Sequence, residues 1–227
     1  MSNRFSHYPT QPTSQDVMAA FYILCSTHEA ASSFLDIFEQ SRQQRNAKGT
    51  PADIEQDLLR AMLAFAASGL DSMVKQLIRN TLAKVIECRK GAMGNFKQFI
   101  EKRLSKKEVI DAKLLAEVLA SRDPRDVLVS ELINELVSQS LQSKDALLRA
   151  ASYFDIPSVE LTSDIGGLGR IFDARNQIVH EMDVDFTQRN RSRRPRRKDD
   201  MIQHTTELLR IGGVMLHKID NMLTPQS

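Results

Sequence analysis

The sequence predicts an all-α protein, and three observations predict it. Apolar residues recur at i, i+3, i+4 and i+7 through most of the chain, the spacing of one face of a helix. Leu, Ala, Ile and Met dominate the apolar set, Trp is absent, and only 9 Gly and 7 Pro occur in 227 residues, a mixture that favours helices over sheets. The apolar runs are also bounded by helix start and stop signals. The length suits a single sizeable core, read as one helical bundle over 14–223 behind a flexible tail at 1–13. Residues 91–135 are read as shorter helices inserted at one end of that bundle.

The first helix is expected to begin at Ser14, a hydroxyl cap ahead of Gln15 and Asp16. It carries Val17, Phe21, Ile23, Leu24, Phe34, Leu35, Ile37 and Phe38, with a break expected near Ser26–Thr27. Gln43 to Gly49 make a polar loop. Thr50-Pro51-Ala52-Asp53 then reads as a start signal, with a hydroxyl cap, proline at the first helical position and acid in the first turn. Helical spacing runs from Ile54 to about Cys88, interrupted by Gly69, which is read as a close helix–helix contact or a mild kink. Arg89 to Gly94 are expected to form a loop with two glycines. Phe96–Leu104, Glu108–Ala120 and Val127–Ala151 follow as shorter amphipathic helices, with a break at Asp123-Pro124-Arg125. Asp155-Ile156-Pro157 ends the last of these, and the glycine-rich run Ser163 to Gly169 reads as a flexible connector. A phosphate cradle on its amides is the sharper alternative, weakened because no lysine follows.

The connector leads into Ile171-Phe172-Asp173-Ala174-Arg175-Asn176-Gln177-Ile178-Val179-His180-Glu181-Met182-Asp183. On a helix, Ile171, Phe172, Ile178, Val179 and Met182 share a stripe, and Arg175 falls in its middle. A guanidinium keeps its charge, so on that stripe it must meet a carboxylate, a partner chain or a ligand phosphate. Asn176 lies one turn before His180, where an amide can orient an imidazole, and Asp183 can do so from the other side. The bland reading is a structural salt bridge beside a surface histidine. Against it stand the placement of Arg175, the Asn176–His180 spacing and the run that follows. In that run, 189–198, Arg189, Arg191, Arg193, Arg194, Arg196, Arg197 and Lys198 put basic residues at seven of ten positions. Such runs are most often solvated, partly disordered loops. Nine residues beyond His180, this one also reads as an RNA-binding hand within the loop 186–199. A last helix is expected from Asp199-Asp200 to about Leu223.

Composition excludes several classes. The net charge of +2 makes the positive charge local rather than global. Met1 to Thr13 contain no apolar signal segment, and the longest apolar run, Met18 to Cys25, is far short of the roughly 20 residues needed to span a bilayer. No membrane partner is expected. Cys25 and Cys88 lie in helical patterns without nearby metal-ligand partners, which points to a reducing, cytoplasmic compartment with no metal and no cofactor.

Arg175-Asn176-x-x-x-His180 on a late helix of an all-helical chain resembles the signature of the HEPN superfamily, an arginine, a polar residue and a spaced histidine. Beyond the motif the resemblance covers the helical layout of about 14–90 and 140–223. It implies a HEPN-type bundle and a metal-independent endoribonuclease, often dimeric, with two motifs lining a shared cleft. It also implies Arg175 as transition-state stabiliser and His180 as acid–base, with roles as a toxin, in phage defence or in RNA processing. One toxin subgroup carries a modifiable tyrosine two residues after the histidine. Here that position is Met182, which counts against that form of control by an antitoxin. The alternative is a non-catalytic helical module binding RNA or a regulatory partner protein. A transcription regulator ranks last, because no helix-turn-helix pattern is present.

Overall fold

The computed structural model describes residues 4–46, 48–104 and 112–224, without the side chains of Leu104 and Lys113. Among them are a 3-10 turn, Gln15–Val17, and nine α-helices with no strand. The helices are α1 (Met18–Gln44), α2 (Asp53–Cys88), α3 (Lys90–Leu104), α4 (Ala112–Ala120), α5 (Pro124–Ser138), α6 (Lys144–Tyr153), α7 (Ser158–Leu161), α8 (Ile165–Glu181) and α9 (Lys198–Leu223). None of the described helices is long and apolar enough to cross a membrane.

The bundle is built around α2. Its buried apolar residues run from Leu59 through Met62, Leu63, Leu70, Met73, Leu77 and Ile78 to Ile86 and surround most of its girth. This helix therefore packs on α1, α9, α3, α5, α8 and α6. Removing one such fully buried Leu or Ile side chain to Ala removes roughly 2–5 kcal/mol. The approach of α1 is close at Gly69, where a Cβ would lie 2.0 Å from Thr27 Oγ1. Thr27 in turn bonds back to Ile23 O at 2.7 Å, and α1 is continuous where a break at Ser26–Thr27 was expected.

Other departures have equally local causes. At the start of α2, Ala52 rather than Thr50 is the capping position, because Glu55 reaches back to Ala52 N at 2.8 Å. Gly91 and Gly94 lie inside α3, not in a loop. The expected helix over Val127–Ala151 is two helices. Leu141 N donates to Asp71 at 2.6 Å, and the Ser143 hydroxyl restarts the chain by accepting from Ala146 N. Phe96, Phe99, Val129 and Leu132, from the stretch read as an insertion, share the core with α2, while α4 packs on α5. Glu108–Asp111 of the helix expected from Glu108, Met1–Asn3 of the tail and Ala47 of the polar loop lie outside the described residues.

The rest of the expected tail runs over the bundle. Phe5 is buried, Arg4 pairs with Asp36 and Glu39, and Thr13 and Ser14 donate their amides to Asp220.

Candidate functional site

The helix that carries the site starts at Asp164, whose side chain accepts from Gly167 N at 2.7 Å. The glycine run expected as a connector is thus the first turn of α8, and Asp164 takes up an amide that an anion would need. Leu168, Ile171 and Phe172 anchor the helix in the core.

One turn on, Arg175 is only 8% exposed. Its Nη1 donates to Asn176 Oδ1 at 3.0 Å and lies 3.3 Å from His180 Nε2. Its Nε is buried with no hydrogen-bond partner among the described residues. No carboxylate there forms an ion pair with it; burial lowers its pKa, and the more distant charge of Asp71 opposes that. A guanidinium donates only, so in this contact the imidazole accepts at Nε2 and is neutral with its proton on Nδ1. The expected Asn176–His180 pairing is replaced by another. Asn176 holds the arginine, and the arginine, rather than the amide, meets His180.

The stripe also ends earlier than its spacing implied. Val179 and Met182 are exposed, at 40% and 66%. The cause is the helix terminus, where Met182 and Asp183 take left-handed conformations (φ 50° and 61°) and Asp183 N bonds to Gln177 O at 2.8 Å. Asp183 does not reach His180. It is fully buried and pairs with Arg60 Nε at 2.7 Å and with Arg196 through Nε at 3.0 Å. Arg60 also donates to Asp57 and to Arg194 O.

The basic run is folded rather than loose. Asp185 N donates to Ser192 O and Arg194 N to Asp183 O, each at 2.8 Å, with a bridge between Val184 and Arg193. Arg193 pairs with Asp57 at 2.6 Å and, by that hydrogen bond first, holds the Asp57 carboxyl below its ordinary pKa. Arg194 pairs with Glu181, Arg196 with Asp183 and Gln177, and Lys198 with Glu39 while lying over the Phe38 ring. Arg189, Arg191 and Arg197 are exposed and have no ion pair among the described residues.

Sequence reasoning missed Arg60 and His28. The signal for Arg60 was present, a charge between Leu59 and Met62 on a helix whose apolar residues surround its girth. For His28 there was none, since its burial depends on the docked segment that brings Tyr8 against its ring at 5.3 Å. No group of three or more potential metal-ligating side chains occurs among the described residues. Comparison with protein-family models, with curated proteins and with solved structures finds no match to this chain.

Proposed function

We propose that this protein is a metal-independent endoribonuclease of the kind its HEPN-like motif implies. One observation carries the reading: a buried guanidinium with no carboxylate partner among the described residues lies 3.3 Å from the accepting nitrogen of an exposed histidine. A buried positive charge left short of a counter-ion is suited to receive an anion.

In the proposed reaction a phosphodiester draws Arg175 Nη1 onto its non-bridging oxygens and frees His180 Nε2. The imidazole then accepts the proton of the ribose 2′-hydroxyl. The O2′–P bond forms, the P–O5′ bond breaks, and the departing oxygen takes a proton from water. The products are a 2′,3′-cyclic phosphate and a 5′-hydroxyl. Arg175 stabilises the charge that develops on phosphorus-bound oxygen. Arg189, Arg191 and Arg197 hold the flanking strand, while Arg193, Arg194, Arg196 and Lys198 shape the hairpin that presents them. Val179, Met182 and Phe186, all within six residues of His180 in the chain, are exposed, which supports a second subunit or a regulatory protein covering this end of α8.

The test is a labelled mixed-sequence RNA beside its all-deoxy counterpart. RNA cut to cyclic-phosphate ends with the DNA left intact supports the reading. Equal cutting of both contradicts it, because the 2′-hydroxyl is the nucleophile.

A binding-only module is the second reading, favoured by the same contact, since Arg175 occupies the nitrogen a base would use. It predicts salt-sensitive RNA binding with no cutting, and over-expression that is harmless with or without His180.

A further inference from the structure

We propose that the cleft between the start of α8 and the first half of α9 is a base-selecting subsite for single-stranded RNA, with guanine its preferred occupant. This rests on the endoribonuclease reading and names the substrate feature that reading leaves open.

The cleft has a volume of about 650 Å³ and is lined by Thr162, Asp164 and Arg170 on one side and by Gln203, His204 and Glu207 on the other. That volume falls in the usual range for small-ligand sites, about 300–1,000 Å³. Its lining combines acceptors with donors. Asp164 accepts from Gly167 N and, at 3.0 Å, from Arg170, and Glu207 is held by Arg210. Each carboxylate oxygen has further lone-pair capacity, so both still accept. Arg170 is 71% exposed at its side chain and offers the outer part of its fork.

His204 supplies a ring nitrogen. Its Nδ1 is buried with no partner among the described residues, and burial lowers its pKa. That leaves Nε2 as the nitrogen to meet a ligand, and it donates when it carries the proton of the neutral ring. Guanine alone among the RNA bases presents two neighbouring acceptors, O6 and N7, together with amino and imino donors. Arginine to O6 and N7 is the commonest base-specific contact, and a carboxylate complements the donor edge.

Position along the helix fits a strand that crosses both sites. Arg170 and His180 are ten residues apart on α8, about 15 Å along its axis. A stacked strand advances about 3.4 Å per nucleotide, so the selected base lies a few nucleotides from the bond that is cut.

The test uses the full chain carrying His180→Ala, so that RNA survives the measurement. Its affinity is measured for an eight-nucleotide uridine RNA and for versions with one internal G, A or C. The G-containing RNA is expected to bind about five-fold tighter or more, in the range of one specific base contact. Adding Gln203→Ala, at an exposed position, should lower that ratio, and adding His204→Ala as well should bring it to one. Equal binding of all four RNAs, no binding of any, or a ratio unchanged by both substitutions overturns the subsite. Guanine-dependent binding by a protein whose wild type leaves RNA uncut supports the subsite and overturns the catalytic reading alone.

Discussion

Two buried arginines, one on α2 and one on α8, have opposite surroundings. Arg60 is 3% exposed and meets the carboxylates of Asp183 and Asp57 and the Arg194 carbonyl. Arg175 is 8% exposed and meets an amide oxygen and an imidazole nitrogen, with Nε left unbonded. Both charges are desolvated, and only one is neutralised by its surroundings. A fully paired buried charge ties elements together, here the end of α8, the hairpin and α2. A buried charge lacking its counter-ion weakens the fold and awaits an anion, which is the arrangement proposed for catalysis.

The two arginines should differ most in what their surroundings contribute to stability. Asp183→Ala leaves Arg60 and Arg196 facing an empty buried position, and its unfolding free energy, read from urea titration, should fall by about 3–5 kcal/mol. Arg175→Met replaces an under-paired charge by a side chain of similar length. Its stability should stay within about 1 kcal/mol of wild type or rise. If both changes destabilise equally, the two arginines are alike and the contrast is wrong.

Activity should reverse that order. Arg175→Met is expected to lower the rate of RNA cleavage about 10²–10³-fold, as for loss of one group stabilising a transition-state oxyanion. Single-turnover kinetics on folded protein checks this, and a rate within a few-fold of wild type would remove Arg175 from the chemistry.

His28 is a third buried group, and unlike either arginine it can shed its charge. Both ring nitrogens lack partners among the described residues, and burial, with the charge of nearby His7, pushes its pKa from 6.5 down to about 4. Because the folded value is the lower one, the unfolded chain takes up the proton first as pH falls. The associated stability is present above pH 6.5 and is lost progressively towards pH 4, by about 3 kcal/mol in full. His28→Leu should flatten that part of the stability–pH curve, and an unchanged slope would show that other groups set it.

The smallest effect separates the hairpin's cations. Substituting Arg189, Arg191 and Arg197 by Ala should reduce the slope of log affinity against log salt by up to roughly 2, at about 0.7 per phosphate contact on a single strand. Arg193→Ala removes the ion pair with Asp57 and should lower stability, with little change in that slope.

Much of the fold was legible because it rests on local signals. The spacing of Leu59, Met62, Leu63, Leu70 and Leu77 marks α2, and Gly69 marks the close contact with α1. Pairing across the fold was not legible. Nothing near Asp183 in sequence indicates Arg60, 123 residues away, and spacing alone offers its carboxylate only to neighbours such as His180 or Arg175. The basic run shows a related limit. Its charge was plain, but which cations are consumed depends on acids of α1, α2 and α8 that only the folded chain brings close. In the site itself, Arg175 and His180 were marked by spacing, while the role of Asn176 turned on side-chain directions that spacing does not contain.

Metal-independent chemistry at His180 is tested by incubating labelled RNA in excess EDTA with wild type and with His180→Ala. Cleavage by wild type, leaving cyclic-phosphate ends, with a rate lowered at least 10²-fold by the substitution, is the predicted result. Equal cleavage by the two proteins, or none by wild type while RNA binding is retained, would contradict it.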